Sequence, residues 1–319
     1  MQNIAADFYA QDDGSHNYPF ALNAGSGTAL YYRNPNTGAT HVQGDQMLLP
    51  SMVYLGYQCS GSTVQFSSMA ANLKTMLTSN IQRNGTSHLV TVPSGSGDVP
   101  YGFQDGVDFS TGAGSHDNLW GTALLYQAET QMAAMYTAVG DSTNAATMAA
   151  DAALLKSNVT AVLWDSGVGM FNASSGVNAQ IDIGGSAFAC SVGLASPSQC
   201  TAISTWLSAN YASVENSYIV ANGYLRKSPT NWAQTYSVPS SGSGQYDNGY
   251  WVDSLGFILQ TMALTDLTAA ARLASDYANG PMVGIEWMQT TNAARGAVNQ
   301  IHASAGVLGF MKAHPSLFQ

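Results

Sequence analysis

Apolar residues recur at helical spacing along most of this chain after about residue 43. DQMLLPSMVYLGYQ carries them on one stripe, and STVQFSSMAANLKTMLTSNIQ repeats the pattern over a longer run. The strongest signal is DNLWGTALLYQAETQMAAMYTAVGD. Asp117 stands where an N-cap is wanted, Ala, Leu and Met fill one face, and Gly140 ends the run. STNAATMAADAALLKSNVTAVLWD returns at once. A further pair follows, AQIDIGGSAFACSVGL and SPSQCTAISTWLSANYA, and then DSLGFILQTMALT, LTAAARLASDYANG and IHASAGVLGFMKAH. Before these helices, TALYYRNPNTGATHV alternates on both sides of an Asn-Pro-Asn-Thr-Gly turn and predicts a small N-terminal β-hairpin.

Three stretches break the helical rhythm: RNGTSHLVTVPSGSGDVPYGFQDGVDFSTGAGSH, NGYLRKSPTNWAQTYSVPSSGSGQYDNGYW and PMVGIEWMQTTNAARGAVNQ. Loops this long inside a compact domain are usually functional. Short connections between helices make antiparallel hairpins. A ring of such hairpins gathers the short turns on one face and the long loops on the other. The expected fold is therefore all-α, an (α/α) toroid of helical hairpins. Roughly nine helices are legible, fewer than a full six-hairpin ring, so either further helices lie in the first forty residues and the loops or the barrel is reduced or truncated. The alternative is an irregular helical bundle. No composition break divides the chain, so one catalytic domain spanning 1–319 is expected.

Charge narrows the function classes. The chain has 9 Lys+Arg against 19 Asp+Glu, a net charge of -10, and only 9% charged residues, where roughly 25% is ordinary. No basic cluster exists to grip phosphates, so a nucleic-acid partner is excluded. No apolar run approaches the roughly 20 residues that span a bilayer. A surface of amides and hydroxyls suits an uncharged partner. Cys190 and Cys200 flank SVGLASPSQ, and their spacing allows either a disulfide across a helical corner or two buried thiols; Cys59 is left over. Asn84, Asn158 and Asn172 head Asn-x-Ser/Thr sequons. MQNIAADFYAQDDG has neither a basic nor an apolar leader region. The expectation is a secreted or periplasmic monomer whose signal peptide lies outside this chain. No Cys/His spacing fits zinc, and no phosphate or dinucleotide fingerprint occurs, so no metal or cofactor is expected.

Carboxylates this scarce can be inspected singly. Asp141 and Asp266 border helices, Asp151 and Asp276 fall on polar helix faces, Glu129 lies within the long helix, and Glu215 is in a polar stretch. Three groups in the long loops stand apart. Tyr101-Gly-Phe103-Gln-Asp105-Gly-Val-Asp108-Phe places two aspartates beside aromatic residues. Burial there would raise a carboxyl pKa and make a usable general acid, while an Asx-turn is the competing structural explanation. Gln245-Tyr246-Asp247-Asn248-Gly-Tyr250-Trp251 combines a turn signal with three aromatics. It is either a sugar-stacking platform or ordinary core. Ile-Glu286-Trp287-Met-Gln289 holds the only glutamate of these loops, with two neighbours able to orient it. Trp120 opens the long helix near the first group. Two carboxylates with aromatics between them suit glycoside hydrolysis: one protonates the leaving oxygen and the other activates water.

Several segments resemble the six-hairpin (α/α)6-barrel glycoside hydrolases, the superfamily of glucoamylases, trehalases and rhamnosidases. GTALLYQAETQMAAMYTAVGD is similar to an inner helix of that fold, LWDSGVGMFNAS to a helix end running into a small hairpin, and QYDNGYWVDSLGFIL to the segment before a late inner helix. Glu286, followed by Gly296 and HASAGVLGFM, resembles the closing region of glucoamylase-like enzymes. The resemblance covers roughly residues 100–315 and is one of pattern. It implies a catalytic-base role for Glu286 and a neutral-sugar hydrolase, inverting in mechanism. The Trp-Glu-Glu acid segment of those enzymes is absent; Asp105 and Asp108 occupy the comparable loop. The aromatic and polar residues singled out in and beside the loops give the candidate substrate-binding set: Tyr101, Phe103, Trp120, Gln245, Tyr246, Asp247, Asn248, Tyr250, Trp251 and Trp287.

Two alternatives stay open. A polysaccharide lyase or sugar epimerase on the same barrel would use His116 or His302 with Tyr246 or Tyr250. It would also need a cation near a uronate, and only Arg226, Lys227 and Arg295 lie in the later loops. A non-catalytic carbohydrate-binding protein would keep the aromatics without the acids.

Overall fold

The computed structural model describes residues 6, 9–11, 21–22, 29–30, 47–92, 116–175, 181–210, 249–251, 254–279, 285–289, 294–298 and 302–318. The chain divides into two compact units, Met1–Val162 and Leu163–Gln319.

In the first unit, β1 (Ala21–Leu22) pairs antiparallel with β2 (Ala29–Leu30). The strand at Ala29 therefore pairs back across residues 23–28. The partner expected from the pattern, downstream of the Asn-Pro-Asn-Thr-Gly turn, lies outside the described residues. Helix α1 (Leu48–Ser60) carries Pro50 in its first turn, where the missing N–H costs nothing. Helix α2 (Val64–Thr75) runs directly into a π-helical turn, Met76–Asn80. Strands β3 (Thr91–Val92) and β4 (His116–Asp117) pair antiparallel, with Thr91 opposite Asp117 and Val92 opposite His116. Helices α3 (Leu119–Ala138) and α4 (Ser142–Leu163) follow. The α3 cap corrects the expectation: Asn118, not Asp117, accepts from Gly121 N at 2.7 Å. Asp117 belongs to β4 and accepts from Ser87 Oγ at 3.0 Å. Gly140, at φ 79°, turns the chain from α3 to α4.

Burial separates inner helices from outer ones. α3 buries residues around most of its circumference, including Leu119, Thr122, Ala123, Leu125, Ala128, Glu129 and Met132. α4 buries a single stripe, Met148, Ala152, Leu155, Val159 and Leu163, at helical spacing.

The second unit repeats the alternation. The hairpin β5 (Trp164–Asp165) and β6 (Met170–Phe171) leads to α5 (Ile183–Ser191), in which every residue from Ile183 to Ala189 is buried. Asp182 caps α5 by accepting from Gly185 N at 2.8 Å. Helix α6 (Pro197–Asn210) returns, and the Cys190–Cys200 disulfide closes the corner with the two Cα atoms 5.5 Å apart. Strand β7 (Gly249–Trp251) precedes α7 (Leu255–Met262), which packs against α5, α6, α8 (Leu267–Asn279) and α9 (His302–Ala313). α8 is amphipathic, burying Ala270, Leu273, Ala274 and Tyr277 on one face. Between α8 and α9 the pattern predicts a loop, but the chain forms β8 (Ile285–Gln289) and β9 (Ala294–Val298), a hairpin paired with β7 in the order β7-β8-β9. IEWMQ is short and rich in strand-forming residues, and pairing on both sides supplies what its brief pattern does not announce.

Candidate active site

In the second unit the three-stranded sheet joins two segments that are far apart in the sequence. Gly249 is opposite Gln289, Tyr250 opposite Met288, and Trp251 opposite Trp287. The Tyr250-Trp251 and Glu286-Trp287 groups thus lie on neighbouring strands. On the other edge of β8, Ile285 is opposite Val298 and Trp287 opposite Arg295, with a register shift between Ile285 and Trp287. The shift falls at Glu286: two steps along β8 match three along β9. Such an irregularity re-aims a strand locally and is common beside active sites.

The sheet is anchored by the helices it feeds. β7 leads through Ser254 into α7, and β9 leads into α9. These two helices touch backbone to backbone: a Cβ added at Gly256 would lie 2.8 Å from the Cα of Gly306. Glycine at both positions is what permits that crossing.

In the first unit, the long segment 93–115 leaves β3 and returns through β4, so its two ends are held side by side where α3 begins. That seat is polar and closely bonded. Asn118 N donates to Val90 O at 2.8 Å, Val90 N to Thr122 Oγ1 at 3.1 Å, and Thr122 Oγ1 to Asn118 O at 2.6 Å. Below it lies a charged pair. Arg83 donates through one guanidinium nitrogen to Leu77 O at 2.9 Å, in the π-helical turn, and to Glu129 Oε1 at 2.5 Å. Glu129 is fully buried, and among the described residues its Oε2 has no hydrogen-bond partner. Burial pushes the Glu129 carboxyl up to about 7; the charge and hydrogen bond of Arg83 oppose the shift and the charge of Asp151 adds to it. An open polar cavity of about 450 Å³ adjoins, lined by Gln82, Arg83, Asn84, Gly85 and Thr91.

The sequence treats Glu129 as an ordinary helix residue and misses this pair. A signal was present: Leu125, Ala128, Glu129, Met132 and Tyr136 form one stripe at i, i+3, i+4, i+7 spacing, and a charge on such a stripe needs a partner. The partner is 46 positions away, beyond any local pattern.

Of the other candidates, Trp120 sits half-buried in the first turn of α3. His116 is in β4 and His302 begins α9. Tyr101, Phe103, Asp105, Asp108, Gln245, Tyr246, Asp247 and Asn248 lie outside the described residues, as do Arg226 and Lys227. Among the described residues, no group of three or more His, Cys, Asp or Glu could hold a metal ion, and no helix is long and apolar enough to cross a membrane.

No family model matches this chain, and no curated protein matches it by sequence. Solved structures do. A rhamnosidase from Klebsiella oxytoca with rhamnose bound is similar over 99% of this chain and 54% of its own, with a TM-score of 0.62 at 12% identity. A GH63 mannosylglycerate hydrolase from Thermus thermophilus in complex with glucose is similar over 97% of this chain and 86% of its own, with a TM-score of 0.61 at 12% identity. A sialidase is similar over 89% of this chain and 27% of its own, with a TM-score of 0.61 at 14% identity. The chain thus spans about half the length of the rhamnosidase. At these identities the likeness is one of fold alone, the (α/α) barrel of the rhamnosidase and the GH63 hydrolase.

Proposed function

We propose that this protein is a glycoside hydrolase acting on neutral oligo- or polysaccharides. The observation that carries the reading is the β7–β8 register, which sets Tyr250-Trp251 alongside Glu286-Trp287 ahead of α7, in a fold shared with glycosidases. Aromatic residues offer flat faces to sugar C–H groups, and a glutamate among them can act on a glycosidic bond. Glu286 takes the role of general base and deprotonates water as it attacks the anomeric carbon. Asp105 or Asp108, on the segment whose ends are held by β3 and β4, protonates the departing oxygen. The water-derived oxygen bonds to C1 on the face opposite the leaving group, so configuration inverts. Inversion needs roughly 6.5–9.5 Å between the carboxyls, room for the water. In this reading residues 1–319 are one catalytic domain, supported by a similarity to the hydrolase that runs over 97% of the chain. The protein works as a secreted or periplasmic monomer, a placement supported by the Cys190–Cys200 disulfide.

The test is a panel of neutral oligosaccharides with NMR detection of the first-formed anomer. Glu286→Gln should cut turnover by about 10²–10⁴-fold with sugar binding retained, the usual worth of a general acid or base. Asp105→Asn or Asp108→Asn should do the same, whichever is the acid. Full activity in all three variants overturns the assignment.

One observation favours a second reading. Arg295 is the register partner of Trp287, in a chain with only 9 Lys+Arg. A cation there suits a substrate carboxylate, as in a lyase acting on uronates. Lyase turnover would generate ultraviolet absorbance from a new C=C bond and consume no water.

A further inference from the structure

The three sequons, Asn84-Gly-Thr86, Asn158-Val-Thr160 and Asn172-Ala-Ser174, all fall among the described residues, and the fold treats them differently. Asn158 lies inside α4, and its Nδ2 donates to Ser87 O at 2.6 Å. A sugar on that nitrogen would crowd out the bond that ties α4 to the turn beneath it. Asn172 is held in an isolated bridge with Ile181, and Ser174 of its sequon is only 2% exposed.

Asn84 differs on each count. It opens a tight turn closed by the Arg83–Val90 bridge, in which Asn84 N donates to Leu89 O at 2.9 Å and His88 N to Asn84 O at 2.8 Å. Its side-chain oxygen is occupied, accepting from Thr86 N at 2.8 Å and Ser87 N at 3.3 Å. That Asx-turn commits the oxygen to the backbone, and among the described residues the amide nitrogen donates to no partner. Gly85 and Thr86 are exposed. Asn84 also lines the open polar cavity of about 450 Å³ with Gln82, Arg83, Gly85 and Thr91, which gives a covalently attached sugar room and hydrogen-bonding partners beside the turn.

We propose that Asn84 is the N-glycan acceptor among these three sequons. The donor is a lipid-linked diphosphate oligosaccharide. The Asn84 Nδ2 attacks its anomeric carbon, an N–C bond forms as the C–O bond to phosphate breaks, the lipid diphosphate leaves, and the amide gives up one proton to a base of the transferase. No oxidant or reductant is involved. The Cys190–Cys200 disulfide is of the kind that persists in an oxidising export compartment, where such donors act. The assignment is independent of the glycosidase reading and stands if that reading fails.

The experiment is secretion of the full chain from a eukaryotic host, followed by intact mass measurement before and after peptide N-glycosidase treatment and by mapping of the Asn converted to Asp. The expected result is a single glycan, mapped to Asn84 and lost in Asn84→Gln. Thr86→Ala removes the sequon while sparing the Asn84 turn, so loss of the glycan there does not depend on how well Asn84→Gln folds. Thr86→Ser should keep it. An unmodified Asn84 in the secreted protein, a glycan that persists in either sequon-breaking variant, or occupancy at Asn158 or Asn172 instead, overturns the proposal.

Discussion

In the first unit the β3–β4 ladder is held to α3 by polar side chains, Asn118, Thr122, Ser87 and Asp117, near the pair of buried Glu129 with half-buried Arg83. In the second, the β7–β8–β9 sheet runs into helices that meet through Gly256 and Gly306 with no side chain between them. Both regions present a strand at the start of a buried helix. The first includes one pair, Arg83–Glu129, whose strength depends on protonation. The second relies on the absence of a Cβ, which no change of pH alters. The two units should therefore answer differently to the same perturbations.

The largest expected difference concerns Glu129. Its folded pKa of about 7 stands above the ordinary 4.5, so between those values the folded protein keeps a proton that the unfolded chain releases. Glu129 therefore favours folding most below pH 4.5, and this contribution fades as pH rises to about 7. At 1.4 kcal/mol per unit, the loss across the window is about 3 kcal/mol. Urea titrations of the wild type should show stability falling over that interval, and Glu129→Gln should flatten the slope. Equal slopes in the two proteins would break the contrast between the units.

Next comes the disulfide, which belongs to the second unit alone. A loop of roughly ten residues gives a chain-entropy contribution of about 2.5 kcal/mol. The Cys190→Ser/Cys200→Ser double variant should unfold earlier by that amount, and adding reductant should leave it unchanged while lowering the wild type to match.

Gly256→Ala should cost somewhat less, about 2 kcal/mol, because its Cβ would press against the Gly306 backbone and the helices must part. This loss should be the same at pH 5 as at pH 8. A pH-dependent cost would mean that a titrating group shares the contact.

Much of the fold is legible in the chain. The helical runs ending at Gly140 and opening near Leu255 and His302 match observed helices. The structure adds the contrast between helices buried all round, such as α5, and single-stripe ones such as α8. What escaped has a common cause. The Asn118 cap wins over Asp117 because β4 claims Asp117 for pairing with Thr91. The strand at Glu286 gains its partners from segments on both sides. Arg83 finds Glu129 only when the π-helical turn and α3 come together.

The amino-acid sequence by itself determined which stretches would be helices, which faces would be apolar, and that a few carboxylates would fall beside aromatics in the long connections. Periodicity and composition act over a few turns of chain, and that range is enough for these features. Tertiary structure alone decided which of those segments meet. It set Trp251 opposite Trp287, let Gly256 reach Gly306, and buried Glu129 against Arg83. Pairing across such distances is chosen by packing and desolvation over the whole unit, and no local pattern carries it.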